Sequence, residues 1–287
     1  MRRSARAIHE LPFQHNLKPG LGFEMFTLSS LFERVGAAEL VIPKRPDFHI
    51  IYIGLRGKGS LAVDFEDVPL GSGIMTVVAA GRVQHFIPKA GVDAWLLLAR
   101  PEVVAGTYAL LDPTWMPPVL ELSRTDRDEL LVLCDQLAAE QARPLDAIQP
   151  RLMATLLAAV LLRGERLVQA ATANRPVAPA LQRFFTILER DCLKTREVAH
   201  YAKKAGISVR QLSDLLVART GKSTKRVVDE RVVLEQKRLL AHTEISVKEL
   251  AERSGFDEPT NLVKFFRHHT GTTPQSFRRN LPSGRRS

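Results

Sequence analysis

Apolar residues recur with two different periods along the chain, and the change of period divides it into two parts. Between residues 21 and 98, short runs of β-branched and aromatic residues alternate with polar residues and are separated by glycine-containing turns. Strands at intervals of about 8–12 residues are typical of a small antiparallel barrel or jelly roll. From residue 125 onward, apolar residues recur at every third or fourth position, which indicates amphipathic helices. The pattern therefore predicts a β-domain followed by helical segments.

Two helices are predicted directly after the strands. The first begins with Thr125 as its cap, and the second follows Pro150, since proline is favoured in the first helical turn. The second helix is apolar over most of its circumference, so it either packs only within its own subunit or also contacts a partner subunit. The Ala-, Thr- and Pro-rich segment that comes next has little capacity to form a core. These features predict a domain over residues 1–168, a linker over 169–179 and a second domain over 180–287.

Two segments in the C-terminal half share one spacing of small, apolar and polar residues. In each segment an alanine is followed four residues later by a glycine, Gly206 in one and Gly255 in the other. A glycine at the end of a helix adopts positive φ readily and turns the chain sharply, while a small alanine allows a second helix to cross closely. The predicted caps of the second helices are Ser208 and Asp257. The spacing predicts two helix–turn–helix units, over about residues 195–220 and 246–270.

The stretch over residues 255–278 carries a long and specific motif. A recognition-helix pattern is followed by a Gly-x-x-Pro turn at Gly271 and Pro274 and by an aromatic residue next to Arg278. On these residues the C-terminal part resembles the DNA-binding domain of the AraC/XylS family of bacterial transcription regulators. The resemblance implies that a long helix, over about residues 223–241, joins the two units and that the second helix of each unit enters the major groove of double-stranded DNA. It also implies a contact with RNA polymerase.

The strand-rich half is similar to the cupin-like sensor domain of the same family. The similarity lies in three short motifs: Arg45-Pro46, Arg56-Gly-Lys-Gly59 and Gly81-Arg-Val-Gln-His-Phe86. The implied fold class is a multidomain α+β protein. Its N-terminal cupin-like β-barrel carries two packing or dimerisation helices, and its C-terminal all-α domain has two helix–turn–helix units joined by a long helix. The resemblance further implies a homodimer that forms through helices within residues 125–163.

A small-molecule effector bound in the barrel is the partner that this resemblance implies for the N-terminal half. The candidate effector-binding residues, by their place in the family pattern, are Arg45, His49, Phe86 and Trp95. A guanidinium group suits a carboxylate, a phosphate or a sugar hydroxyl, and aromatic side chains suit a ring. Core packing is the alternative for Phe86 and Trp95. Residues 1–20 are either an arm that folds over the pocket, as in the family, or a frayed terminus.

The histidines of the strand-rich half do not complete the metal-binding motifs that many cupins carry. Where those motifs have two histidines separated by one residue, His49 is followed by Ile50 and Ile51, and His85 falls one position late after Gly81. A zinc or iron site needs three or four ligands. We therefore expect no catalytic residues, no metal and no cofactor. A cupin enzyme with an accessory DNA-binding domain, and an architectural DNA binder without an effector, are the alternatives.

The positive charge of the chain is concentrated in its C-terminal part. The 287 residues carry a net charge of +10, and those from Arg175 onward contain 23 Lys and Arg against 12 Asp and Glu. A near-neutral half joined to a strongly basic half is typical of a sensor joined to a polyanion binder. The longest apolar runs are too short to span a bilayer, and the N-terminus lacks the apolar core of a signal peptide. Cys134 and Cys192 suggest buried thiols in a reducing, cytoplasmic compartment, with a single disulfide as the alternative.

Ten residues of the two predicted recognition helices are candidates for contact with DNA. In the first unit these are Ser208, Arg210, Gln211, Ser213 and Asp214, and in the second they are Glu258, Thr260, Asn261, Lys264 and Arg267. Arg210 suits bidentate contact with O6 and N7 of guanine. Asp214 lies where family members often carry an arginine, so it either accepts from a cytosine amine or weakens the first unit. Arg267, His268, Arg278 and Arg279 are expected to contact phosphates, which position a protein without specifying sequence.

Overall fold

The chain forms two structurally different units. The computed structural model describes residues 8–14, 21–87, 89–104, 119–171 and 178–281. From Glu10 onward these residues divide into two compact units, an N-terminal unit within residues 10–171 and a C-terminal unit within residues 178–281. The first contains all the described strands and four helices, and the second contains only helices. The predicted order, strands first and helix–turn–helix units last, is therefore confirmed.

The described strands of the N-terminal unit form three separate sheets, of which two are antiparallel and one is a parallel pair. These strands are β1 (Glu10–Leu11), β2 (Phe23–Thr27), β3 (Arg45–Pro46), β4 (His49–Arg56), β5 (Lys58–Val63), β6 (Glu66–Gly71), β7 (Ile74–Val78), β8 (Gln84–Ile87), β9 (Asp93–Ala99) and β10 (Val119–Glu121). Five strands pair antiparallel in the order β10-β7-β4-β9-β2, three pair antiparallel in the order β6-β5-β8, and β1 pairs parallel with β3. Among these strands no ladder joins the five-stranded sheet to the three-stranded one, so the cupin-like barrel that the resemblance implies is not closed within the described residues.

The five-stranded sheet has an apolar core on each of its faces. In β4, Ile51 and Ile53 belong to a core that also includes residues of two long helices, whereas Ile50 and Tyr52 belong to a core shared with the three-stranded sheet. The two sets alternate because successive side chains of a strand point to opposite faces. The second core adjoins a cavity described below.

Four helices complete the N-terminal unit. They are α1 (Leu28–Val35), α2 (Ala37–Leu40), α3 (Arg124–Ala142) and α4 (Gln149–Ala171). The helices α3 and α4 correspond to the two helices predicted from the sequence, and Pro150 lies in the first turn of α4 as expected. The cap of α3 is Ser123, whose side chain accepts from the backbone N–H of Asp126, so the prediction of Thr125 as the cap is wrong. The chain enters the helix two residues earlier than the apolar pattern indicates.

Seven helices make up the described C-terminal unit. They are α5 (Pro179–Asp191), α6 (Val198–Ala205), α7 (Val209–Thr220), α8 (Thr224–His242), α9 (Val247–Arg253), α10 (Pro259–Thr270) and α11 (Pro274–Arg279). Residues of α5, α6, α7 and α8 share one buried cluster, in which Phe184 and Tyr201 lie with ring centroids 5.8 Å apart. The predicted linking helix is α8, with Ser223 as its cap.

Several sequence-based expectations concern the whole chain. Cys134 and Cys192 are buried free thiols, so the alternative of a disulfide between them is wrong. Within the described part of the chain, no helix has the length and apolar character needed to cross a membrane. The same residues contain no cluster of three or more His, Cys, Asp or Glu side chains suited to a metal ion.

Candidate nucleic-acid interface

Each helix–turn–helix unit turns at its glycine. Gly206, after α6, has a φ of 74°, and Gly255, after α9, has a φ of 67°. The next residue folds back in each case, because the N–H of Ile207 donates to the carbonyl of Ala202 at 3.1 Å and the N–H of Phe256 donates to that of Ala251 at 2.9 Å. Such bonds satisfy the last carbonyls of a helix. The turn geometry predicted from the spacing is therefore confirmed in both units.

The second helices of the two units begin in different ways. Ser208 caps α7 and forms a capping box, in which its hydroxyl accepts from the N–H of Gln211 and the Gln211 side chain accepts from the N–H of Ser208. Before α10 the cap position is Glu258, without a side-chain hydrogen bond, and Pro259 occupies the first turn. The prediction of Asp257 as the cap is wrong, because the helix starts one residue later and its first residue has no N–H to satisfy.

The helices α7 and α10 each present one face to the core and one face to solvent. Leu212 and Leu216 of α7, and Leu262 and Phe266 of α10, are fully buried. The predicted DNA-contacting residues that are exposed are Ser208, Arg210, Gln211, Asp214, Glu258, Thr260, Asn261, Lys264 and Arg267, while Ser213 is half-buried. The structure thus brings the predicted set together on the outer faces of the two recognition helices.

The outer face of α7 is less basic than that of α10. Beside Arg210 it carries Asp214 and two large apolar side chains, Val209 and Val217, which are 46% and 51% exposed. The side-chain oxygen of Gln211 already accepts from the N–H of Ser208 at 2.9 Å, which leaves the amide N–H group of Gln211 as a donor. Contacts with DNA phosphates come mainly from cations. The outer face of α7 therefore has few side chains suited to the DNA backbone and one arginine suited to a base.

An arginine at the start of the first unit contacts the second unit. The guanidinium carbon of Arg196 lies 3.8 Å from the ring centroid of Phe256 and 5.1 Å from that of Phe265. The two rings are themselves 5.2 Å apart. Cation–π contact of this kind is stabilising and directional. This link was missed in the sequence analysis, since nothing in the spacing shows that Arg196, two residues before α6, contacts a ring before α10 and a ring within it.

A cluster of cations surrounds one buried carboxylate at the end of α5. Asp191 accepts hydrogen bonds from Arg190, Lys194 and Lys204 and lies 3.1 Å from Nε2 of His200. The hydrogen bond from Arg190, followed by those from the other partners, holds the pKa of Asp191 far below its usual range. Three permanent cations around one carboxylate leave a local surplus of positive charge next to α6, which suits a polyanion.

Arg278 has a structural role that the sequence did not predict. Its Nε donates to the carbonyl of Leu240 at 3.1 Å, and its Nη2 donates to the carbonyl of Ile245 at 2.6 Å and lies 3.4 Å from that of Thr243. These carbonyls lie at and after the end of α8, where a helix leaves acceptors unsatisfied. These bonds hold α11 on the end of α8, and the expected contact of Arg278 with phosphate stays a prediction.

The N-terminal unit contains a cavity of about 550 Å³. Of the four predicted effector-binding residues, Phe86 lines it, whereas Arg45, His49 and Trp95 lie outside its described wall. The geometry does not support the choice of His49 and Trp95, because the wall residues of their strands are Ile50, Tyr52, Leu96 and Leu98, which point to the opposite face. Trp95 packs against the core on the helix-covered face of the sheet.

The other two candidates outside the wall have structural partners. Nδ1 of His49 accepts from the backbone N–H of Ala80 at 3.3 Å, and burial lowers the pKa of His49 to about 4. Arg45 lies 3.9 Å from the carboxylate of Glu10, across the pair formed by β1 and β3. Residues Leu11 to Gln14 do line the cavity, as expected if the N-terminal segment folds over it; the predicted arm otherwise lies largely outside the described residues.

Known proteins share the features of the C-terminal unit. Residues 201–280 match the family described as a helix-turn-helix domain. The chain is 24% identical over 184 residues to the HTH-type transcriptional activator RhaR of Cronobacter sakazakii (strain ATCC BAA-894), in a match that covers 63% of this chain and 61% of that relative.

Two solved DNA-binding domains are also similar to this unit. The DNA-binding domain of AdpA, a global transcriptional factor, in complex with a target DNA is 29% identical, with 35% of this chain and 90% of that chain covered and a TM-score of 0.33. A Chromobacterium violaceum transcriptional regulator with an AraC-type DNA-binding domain is 23% identical, with 37% and 96% covered and a TM-score of 0.34.

The fold and the exposed faces of α7 and α10 define the C-terminal unit as a tandem helix–turn–helix domain. The resemblance of this domain to the DNA-binding domain of the AraC/XylS family, which the sequence motifs indicated, is confirmed.

Proposed function

We propose that this protein is a sequence-specific DNA-binding transcription regulator that responds to a small-molecule effector. The observation that carries the proposal is the presence of two recognition helices, α7 and α10, each with a buried apolar face and an exposed polar face. A helix exposed in this way fits the major groove, where each base pair presents a distinct pattern of donors and acceptors. The surplus of positive charge in the C-terminal part supports a polyanion as the partner.

The spacing of the recognition helices supports contact with two successive major grooves. The helix α8 joins the two units and has 19 residues. At about 1.5 Å per residue such a helix is about 28 Å long, close to the roughly 34 Å of one turn of DNA. One subunit then contacts two elements about 10 bp apart on one face of the duplex. Arg196, which links the units, keeps the two helices in a fixed relation.

The candidate residues divide into base-reading and backbone-contacting groups in this proposal. Arg210 reads a guanine from α7, while Ser208, Gln211, Ser213 and Asp214 contact bases or phosphates around it. On α10, Thr260 and Asn261 contact bases, Lys264 and Arg267 contact bases and phosphates, and Glu258 flanks the helix start. Base-edge contacts supply sequence preference, and phosphate contacts supply affinity and register. The more basic α10 face then contributes more of the affinity than α7.

The N-terminal unit is assigned the effector and the partner subunit. We assign residues 1–168 to a cupin-like effector-sensing and dimerisation domain, 169–179 to a linker and 180–287 to the DNA-binding domain. The cavity of about 550 Å³ has the size of small-molecule sites. Val132 of α3 and Leu162 of α4 are 55% and 56% exposed, and such apolar side chains on neighbouring helices favour a homodimer contact within 125–163. A contact with RNA polymerase follows from the family resemblance.

Selection of duplexes from a random DNA library by the full-length protein tests the function. The proposal expects enriched duplexes with two short elements about 10 bp apart. An Arg210→Ala/Lys264→Ala variant is expected to lose the enrichment. A control variant, Arg124→Ala/Arg151→Ala, removes two exposed cations from the N-terminal unit and is expected to retain it. A library that shows no enriched sequence with the wild-type protein contradicts the proposal.

A further inference from the structure

The wall of the N-terminal cavity is mainly apolar and aromatic. Its aromatic members are Phe13, Phe26, Phe48, Tyr52 and Phe86. About half of the remaining wall consists of aliphatic side chains from β1, β4, β9, α1 and α2 and from the loop after α2. Removing apolar surface from water is favourable, and an apolar wall gains little from a ligand that is polar on every side. The body of a matching ligand is therefore a ring system or a hydrocarbon chain rather than a sugar.

The charged groups of the wall occur as pairs of opposite sign. Nη1 of Arg34 lies 3.8 Å from Oε1 of Glu24, and Nζ of Lys44 lies 2.5 Å from Oε1 of Glu39. The guanidinium of Arg34 also lies over the ring of Phe26, at 4.2 Å from its centroid. A ligand carboxylate has to compete with Glu24 or Glu39 for these cations, and a ligand ammonium has to compete with the cations for the carboxylates. The wall therefore favours neither sign of ligand charge.

The side-chain amide of Gln84, in the wall of the cavity, has a hydrogen-bond donor available. The hydroxyl of Tyr52 donates to Oε1 of Gln84 at 3.0 Å, and both residues are buried and line the cavity. The acceptor of the Gln84 amide is thus used, while its Nε2 makes no hydrogen bond to another described residue. Buried polar groups normally have partners. A ligand that offers an acceptor at this place supplies the missing one.

We infer that the cavity takes an uncharged, mainly aromatic or aliphatic small molecule that presents one acceptor, such as a carbonyl oxygen, to Nε2 of Gln84. The inference rests on the proposed effector-binding function and adds the chemical class of the effector. It replaces the carboxylate, phosphate or sugar hydroxyl that Arg45 suggested from the sequence, since Arg45 lies outside the wall.

Displacement of a fluorescent probe from the full-length protein tests the ligand class. The probe is N-phenyl-1-naphthylamine, which is neutral and apolar. Four competitors share one naphthalene ring: methyl 2-naphthoate, 2-methylnaphthalene, 2-naphthoate and 2-naphthylmethylammonium, all at pH 7. The ester is expected to displace the probe at the lowest concentration, and the hydrocarbon, which lacks the acceptor, to bind about fivefold more weakly. Both ions are expected to bind at least about tenfold more weakly than the ester.

Variants of Gln84 test the donor. In Gln84→Leu the preference for the ester over the hydrocarbon is expected to decrease, because the Nε2 donor is lost, and in the double variant described next the two are expected to bind equally. Because this change leaves the Tyr52 hydroxyl without a partner, a second variant, Tyr52→Phe/Gln84→Leu, removes both polar groups and keeps the site apolar. The control Gln169→Leu changes an exposed glutamine of α4 that does not line the cavity, and it is expected to keep the wild-type order of competitors.

Three results overturn the inference: an ion that displaces the probe better than the ester, no displacement by any competitor, or a preference for the ester that persists in the double variant. The same preparation is used for DNA selection, so the two proposals are separated. A protein that enriches specific DNA but prefers an ion contradicts only the ligand class. A protein that enriches no DNA contradicts the proposed function.

Discussion

Arg210 and Gln211 are adjacent on α7 but differ in the hydrogen-bonding groups that remain for contact with DNA. Both are exposed, yet the Gln211 oxygen is bound to the start of its own helix, whereas the Arg210 guanidinium makes no ion pair with a described residue. A capping box stabilises the helix and removes one acceptor from recognition. The first unit therefore depends on Arg210 for most of its base discrimination.

Replacement of Arg210 tests this dependence. Arg210→Ala is expected to cost about 1–3 kcal/mol of binding free energy at the selected site and to relax preference at one base pair, because a bidentate contact with guanine is lost. Arg210→Lys serves as the control, since it keeps the charge and loses the planar fork. Titration against the site and its single-base variants measures both effects. If Arg210→Ala weakened binding equally on every sequence, Arg210 would be a phosphate contact.

His49 predicts a pH dependence of stability in the N-terminal unit. Its pKa is about 4 in the folded chain, below the usual value of 6.5, so the unfolded chain binds more protons between these values. Stability therefore falls as pH decreases below about 6.5, by about 2 kcal/mol between pH 6.5 and 5.

Chemical unfolding followed by tryptophan fluorescence measures this change, because Trp95 and Trp115 both belong to the N-terminal half. The control His49→Asn retains an acceptor for the Ala80 N–H and does not titrate. It is expected to reduce the loss of stability between pH 6.5 and 5 by most of that amount. An equally steep pH dependence in His49→Asn would show that another group causes it.

The sequence predicted side-chain roles well where a helix period fixed the face, and less well in the strands. Leu212 and Leu262 are buried and Lys264 is exposed, as the periodicity indicates. In the strands, the match to the family pattern locates a binding residue only to within about one position. A shift of one residue reverses the face, which is why His49 and Trp95 lie away from the cavity.

At the scale of elements, α8 is held at its C-terminal end by α11. Arg278 of α11 donates to the carbonyl of Leu240, near the C-terminal end of α8, and to the carbonyl of Ile245, in the turn after α8. Since charged donors to buried carbonyls are among the stronger hydrogen bonds, the contact fixes the end of the helix that separates the two recognition helices. The sequence motif marked Arg278 as important, but its pattern alone does not distinguish a helix cap from a phosphate contact.

Arg278→Ala is expected to destabilise the C-terminal unit by about 2–3 kcal/mol, because the carbonyls lose a charged donor. Arg279→Ala is the matched control, since the neighbouring arginine is exposed, and is expected to change stability by less than about 0.5 kcal/mol. Hydrogen exchange of the amides of α8 and α11 in the full-length protein measures the local loss. Unchanged exchange in Arg278→Ala, together with weaker DNA binding, would leave Arg278 as a phosphate contact alone.

The contact of Arg196 with Phe256 and Phe265 predicts how the two helix–turn–helix units act together. Arg196→Ala is expected to weaken binding to the selected two-element site by about 1 kcal/mol, the size of a cation–π contact. Binding to DNA with only one element is expected to stay unchanged. An extra base pair between the elements is expected to harm the variant less than the wild type, because the units are less firmly joined.

Arg253→Ala provides the control for this experiment, because it removes an exposed cation from the second unit without contact with either ring. It is expected to weaken binding to two-element and to one-element DNA equally, and to leave the dependence of binding on the spacing of the elements unchanged. The same dependence on spacing in Arg196→Ala and wild type would exclude a positioning role for Arg196.

At the scale of the molecule, the sequence predicted the order of the units and the uneven charge, but not how the strands connect. The change from an alternating to a helical period and the two glycine turns are local signals, and both are confirmed. Closure of a barrel depends on pairing between strands distant in sequence, such as β10 with β7 and β2 with β9. No local pattern encodes this pairing, so the sequence predicted a small barrel or jelly roll but not the three separate sheets of the described strands.

The central claim is that α7 and α10 of one subunit enter two successive major grooves. Hydroxyl-radical footprinting of the full-length protein on its selected DNA tests it most directly, with Arg210→Ala and Lys264→Ala variants in parallel. The account predicts two protected patches about 10 bp apart on one face of the duplex for each subunit. Arg210→Ala is expected to weaken protection of one patch and Lys264→Ala that of the other. A single protected patch, or loss of the same patch in both variants, would contradict the claim.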